Sequence, residues 1–249
     1  MAITLDAVSS HNAVTAALLW GHTCAAGAKI LVVGVGHRGD ASISAATYGG
    51  NAMTLIRQAS CGGGSTDVKC SLYYLLDPPT GSSLSVLATA TLSGGMVGGA
   101  RSYFGAGGLG ADEIASGHSL AFPGIALATP TDSLLLDVIH ARNASAPPVL
   151  LTVGENQSER WNRTDGGQGR GAGSDEPGGP AAFPDWTITN PSTPHWAQAV
   201  VELTLLVTQA IALDARADNV VAADARADNT VALDSRADNV IALEGRYDS

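Results

Sequence analysis

Between Val68 and Leu76 the apolar side chains fall on alternate positions: Val68, Cys70, Leu72, Tyr74 and Leu76. The run from Leu84 to Leu92 repeats the pattern, with Leu84, Val86, Ala88, Ala90 and Leu92 on one side and Ser85, Thr89 and Thr91 on the other. Further along, Ala197, Ala199, Val201, Leu203, Leu205 and Val207 form one apolar face, with Gln198, Glu202 and Thr204 opposite. A period of two marks a strand with one face on a core and one in water. Val14 to Trp20 and Leu134 to His140 read the same way. Ile30 to Val35 is apolar on both faces and suits a central strand. Turn residues separate the runs at Gly49-Gly50-Asn51, Asp77-Pro78-Pro79-Thr80-Gly81, Gly94-Gly95 and Thr129-Pro130-Thr131-Asp132. No stretch here carries an apolar stripe at helical spacing for three turns. The pattern predicts an all-β sandwich of about ten strands, jelly-roll-like, with an immunoglobulin-like sandwich as the alternative.

One stretch breaks the alternation. Glu155 to Phe183 is rich in glycine and reads as a long irregular loop, bracketed by Trp161 and Trp186. Loops of this length are functional or mobile. Either the two tryptophans cap the core beneath a mobile loop, or they contact a neighbour or a glycan.

From Ile211 the period changes to ten. Ile211, Val221, Val231 and Ile241 hold the first position, and Leu213, Ala223, Leu233 and Leu243 the third. Asp214, Asp224, Asp234 and Glu244 hold the fourth. Arg216, Arg226, Arg236 and Arg246 hold the sixth, and Asp218, Asp228, Asp238 and Asp248 the eighth. A helix does not fit, because ten residues at about 100° each carry the stripe about 80° round per repeat. A short strand plus a turn at Asp-Asn does fit. The expected organisation is therefore a sandwich over 1–208 and a repeat tail over 209–249. Four such units cannot bury their apolar edge alone; stacked units, or units from several chains, can. The residues expected to carry oligomerisation are Ile211, Leu213, Arg216, Asp218, Val221, Arg226, Asp228, Val231, Leu233, Arg236, Asp238, Ile241, Leu243 and Arg246.

The repeat unit resembles decapeptide repeats of phage and prophage fibre-like proteins, whose ending is similar to Leu243-Glu244-Gly245-Arg246-Tyr247-Asp248. The N-terminal part resembles a jelly-roll family of phage and bacterial surface proteins through four segments: Lys29 to Val35, Thr47 to Leu55, Tyr73 to Leu76 and Trp196 to Leu203. The resemblance implies a virion surface component, a capsid decoration protein, head fibre or tail fibre, and brings no catalytic set with it.

Composition narrows the choice. Charged residues are only 14% and the formal net charge is −10, so no basic stripe exists for nucleic acid or for an anionic membrane. No signal peptide pattern follows Met1, so synthesis in a host cytoplasm is expected, and the resemblance implies residence on the virion surface. Cys24, Cys61 and Cys70 are an odd set; Cys61 and Cys70 are placed to close a small loop, but free buried thiols are the default. Gly34-Val35-Gly36-His37-Arg38-Gly39 matches a dinucleotide fingerprint, yet no helix pattern follows it. The six histidines are scattered without ligand spacing, and no Cys-x-x-Cys pair exists. No cofactor or metal is expected, a structural calcium ion among loop aspartates staying open. Asp137, Glu155 and Glu202 could supply a carboxylate pair, but spacing alone cannot bring them together. The expectation is a structural protein rather than an enzyme: a homo-oligomer, trimer first, binding capsid or tail proteins of the same particle. The alternative is a carbohydrate-binding module or adhesin that recognises host glycans.

Overall fold

A computed structural model describes residues 2–39, 42–62, 67–118, 122–143, 148–189, 194–206, 222–224 and 242–244. The chain divides into two compact units, Met1–Leu206 and Val207–Ser249. The first unit is all-β. Its strands are β1 (Thr4–Thr23), β2 (Ile30–Arg38), β3 (Ile43–Tyr48), β4 (Asn51–Ala52), β5 (Thr54–Cys61), β6 (Val68–Leu76), β7 (Ser83–Phe104), β8 (Ala106–His118), β9 (Leu134–Arg142), β10 (Leu150–Val153), β11 (Ser158–Thr164), β12 (Gly169–Pro177), β13 (Trp186–Thr189) and β14 (His195–Leu205).

Two antiparallel sheets pack as a sandwich. The first has the order β4-β3-β7-β2-β6-β5, with β1 along the other edge of β7. The second has the order β11-β12-β9-β14-β8. The apolar runs behave as their pattern dictates: β2, apolar on both faces, is central between β7 and β6. The face of β14 formed by Ala197, Ala199, Val201 and Leu203 meets Ile30, Val32, Cys70, Leu72 and Trp161 in the core between the sheets. Gly34 and Gly36 of β2 point at Val138 and His140 of β9, close enough that a Cβ would crowd them. The glycine-rich fingerprint is therefore a close approach of two sheets and not a phosphate loop.

Gly94-Gly95 does not end a strand. β7 runs through it, and a register shift between Thr15 and Ala17 of β1 accommodates a bulge on β7. Bulges bend and twist a strand pair. The bent β1–β7 ribbon carries β3 back over the outer face of β2 and β6, so the first sheet is nearly closed on itself. Leu18, Trp20, Leu31, Val33, Tyr48, Val86 and Met96 fill the space it encloses. Tyr73 Oη ties the closure by donating to the Ile43 carbonyl at 3.1 Å.

Two sequence expectations are corrected. The stretch from Glu155 to Phe183 contains the hairpin β11–β12, paired from Ser158↔Asp175 to Thr164↔Arg170 and joined to β9. The inward positions of β12 include Gly171 and Gly173, packed on Trp161, which is why no alternation shows. The supposed wet face of β14 is also covered. Gln198 is fully buried and donates to Asp137 Oδ2 at 2.9 Å and to the Pro184 carbonyl at 3.1 Å. Glu202 is buried too, its Oε2 accepting the Ala111 N–H at 2.9 Å. Beneath the second sheet the pair β10–β13 closes a further layer around Ile139, Leu151, Trp186 and Trp196.

Within Val207–Ser249 the described strands are β15 (Ala222–Asp224) and β16 (Ala242–Glu244). They pair in parallel, Ala222 with Ala242, Ala223 with Leu243 and Asp224 with Glu244.

Candidate functional site

The residues expected to carry assembly fall mostly outside the described set: Ile211, Leu213, Arg216, Asp218, Val221, Arg226, Asp228, Val231, Leu233, Arg236, Asp238, Ile241 and Arg246. Leu243 lies in β16, on the same register position as Ala223 two repeats earlier. The third position of the unit thus meets itself across the pair.

Trp161 and Trp186 are not available to a glycan or a neighbour. Trp186 is fully buried and donates its indole N–H to Asp137 Oδ2. Trp161 is 4% exposed and sits in a socket of backbone, where a Cβ at Gly99 or Gly173 would overlap its ring. An aromatic ring that stacks on sugar must offer a free face. Among the described Phe, Tyr and Trp residues, Phe122 and Phe183 are the exposed ones.

Around Trp186 lies a buried polar centre. Asp137 Oδ1 accepts the backbone N–H and the hydroxyl of Ser174, each at 2.8 Å; Oδ2 accepts Trp186 and Gln198. Burial pushes the Asp137 carboxyl up, and Trp186, Ser174 and Arg101 pull it back. Arg101, fully buried, places Nη1 3.0 Å from Asp175 Oδ1 and donates Nη2 to the Asp137 carbonyl at 2.9 Å. Tyr103 and Arg160 complete the shell of Asp175 at 2.7 and 2.6 Å. With its oxygens filled, Asp137 is structural. Of the carboxylates considered for glycoside hydrolysis, Asp137 and Glu202 are both buried.

A second chain of groups runs along β1 and β7. Trp20 Nε1 donates to Ser9 Oγ at 3.0 Å, and Ser9 Oγ lies 2.9 Å from His22 Nδ1. His22 Nε2 is 3.2 Å from Ser102 Oγ, which donates to Asp6 Oδ2 at 2.7 Å. With Trp20 and Asp6 fixing the ends, only the Nε2–H tautomer of His22 satisfies every member. Burial pushes the His22 pKa down to about 4, against the pull of Asp6. His22 is thus neutral and acts as a strut. Asp165 is the opposite case: burial raises its carboxyl, but His140 and the N–H groups of Gly167 and Gly169 outweigh this and hold it at about 2.

Among the described residues, one cluster with ligand chemistry stands at an end of the sandwich. Cys61 closes β5 in the first sheet; His118 closes β8 and His195 opens β14 in the second. His118 and His195 are register partners, so both rings rise from the same side of the sheet. His118 Nδ1 is 3.3 Å from His195 Nε2, and the rings meet edge to face. Cys61 Sγ is 3.4 Å from His118 Nε2, 3.8 Å from His118 Nδ1 and 3.2 Å from the Gly117 carbonyl. One ligand atom from each of the three residues lies within 4.8 Å of the other two. Cys61 is buried, His195 half-buried and His118 exposed, so the cluster opens to solvent on one side. Burial pushes the Cys61 thiol up, and burial and the neighbouring His118 push His195 down. Separations of 57 and 77 residues hide the cluster from any spacing rule. No known protein family, curated protein or solved structure matches this chain.

Proposed function

We propose that the chain is a structural component of a particle surface, a virion decoration or fibre protein, that assembles with copies of itself through the repeats of its second unit. The observation that carries this reading is the register of β15 and β16. They pair in parallel at a spacing of twenty residues, which is two repeats, and put like positions side by side. One coil of such a stack therefore holds two decapeptides, and four decapeptides make two coils. A stack of two coils has an unpaired strand edge at each end. Stacks this short need further coils or a cap to be stable. A second copy supplies matching coils, because every repeat carries the same apolar and charged positions.

The jelly-roll-like wiring expected for the first unit belongs to the same reading, supported by two antiparallel sheets packed face to face. Low charge, at 14% of residues, suits a surface that meets neighbours. The adhesin alternative has lost its aromatic platform, since Trp161 and Trp186 are core residues.

Light scattering on the full chain and on residues 1–206 tests the proposal. The full chain is expected at a multiple of its 25.1 kDa mass, and the truncated chain as a folded monomer with an unchanged β signature. Equal association states for the two would overturn it.

A further inference from the structure

We propose that Cys61, His118 and His195 form three corners of a tetrahedral site for a zinc-type divalent ion, which clips the two sheets of the sandwich together. The geometry carries this. A tetrahedral zinc ion with nitrogen at about 2.05 Å and sulfur at about 2.3 Å spaces two nitrogens about 3.3 Å apart and a nitrogen and a sulfur about 3.6 Å apart. His118 Nδ1 and His195 Nε2 are 3.3 Å apart, and Cys61 Sγ and His118 Nδ1 are 3.8 Å apart. The nitrogen pair already has the edge length of that tetrahedron, whereas Cys61 Sγ, 3.4 Å from His118 Nε2, must turn toward the Nδ1 side to take its corner. The third ligand pair also falls within 4.8 Å, so rotation of the Cys61 and His195 side chains is what completes the face.

The strand ends supply the ligands from both sides of the core. Cys61 belongs to the first sheet, and the histidine pair to the second. An ion here bridges strands that no backbone hydrogen bond joins. The donor set of one thiolate and two imidazoles selects zinc or its neighbours over calcium or magnesium, which take oxygen. Charge is also supplied. Asp67 is 5% exposed, its Oδ1 has no hydrogen-bond partner, and it acts electrostatically on both Cys61 and His195. With the Cys61 thiolate its charge offsets that of a divalent ion, and the fourth corner is left to water. Arg142, the register partner of His195, places its guanidinium 3.5 Å from Gln168 Oε1. The exposed edge of His118 leaves a route for the ion from solvent.

The site is independent of the repeats, and its test reads the intact chain. Cobalt(II) chloride and zinc chloride are titrated into the full-length protein. The expected result is one ion per chain, a thiolate-to-cobalt charge-transfer absorption displaced by zinc, and a melting temperature that rises with zinc concentration. Cys61→Ser should abolish the charge-transfer band. His118→Ala, at an exposed position that does not endanger folding, should weaken binding by at least about 100-fold. The acidic tail can hold ions loosely, but it gives no thiolate band. No such band from the folded wild-type chain would overturn the proposal, as would a band unchanged in Cys61→Ser or affinity unchanged in His118→Ala.

Discussion

The sandwich and the tail are built on opposite plans. In the first unit every strand is different, and its buried polar centres have partner sets used once: Arg101 with Asp175, Asp137 with Ser174, Trp186 and Gln198, and His22 between Ser9 and Ser102. In the second unit the same residue types return every ten positions, and β15 meets β16 at equivalent places. A group with a single partner set has no substitute, so its loss is large and local. A group present in four copies has substitutes, so losing one is small while losing all is decisive for assembly.

The largest single-site effect is expected at Asp175. Asp175→Ala leaves the Arg101 guanidinium buried beside a missing carboxylate, which costs about 3–5 kcal/mol. Denaturant unfolding of the purified variant measures it. Next comes Gly99→Ala, where the added methyl must displace the Trp161 ring. Overpacking of this kind costs about 1–3 kcal/mol and lowers the melting temperature.

A pH effect follows. The folded-state pKa of His22 is depressed to about 4 from 6.5, so the unfolded chain takes up its proton first as acid is added. The stability this gives is complete above pH 6.5 and is lost as pH falls toward 4. Its upper bound is about 3 kcal/mol. Chemical denaturation at pH 7, 5.5 and 4.5 should show the loss, and His22→Gln should flatten it. Asp165 does not confound this window, because its depressed pKa yields only below its ordinary value of 3.8. Smallest of all is Arg236→Ala in the tail, expected at about 0.5 kcal/mol or less, in the manner of exposed ion pairs. A tail substitution as costly as Asp175→Ala would break the contrast between the two plans.

Legibility in the sequence followed the same division. β6 and the core face of β14 were readable because their alternating side chains are large enough to show a period. β12 was not, because its inward positions Gly171 and Gly173 leave room for Trp161, and a missing side chain has no hydrophobicity to read. Gln198 and Glu202 misled for a related reason: polar residues are taken as wet, and here they are satisfied within the core. The Cys61–His118–His195 cluster depends on register between strands far apart in the chain, which spacing rules for zinc do not sample. The repeat was legible at once, since periodicity is its whole content.

The parallel, two-repeat register of the tail is tested most directly by paired cysteines in the full-length chain. Neighbouring parallel strands stand about 4.8 Å apart, within the Cα span a disulfide accepts. Under mild oxidation Ala222→Cys/Ala242→Cys should close a disulfide readily, while Ala222→Cys/Ala232→Cys, one repeat apart, should not. Equal closure in both variants, or closure in neither, would contradict a stack in which like positions meet every second repeat.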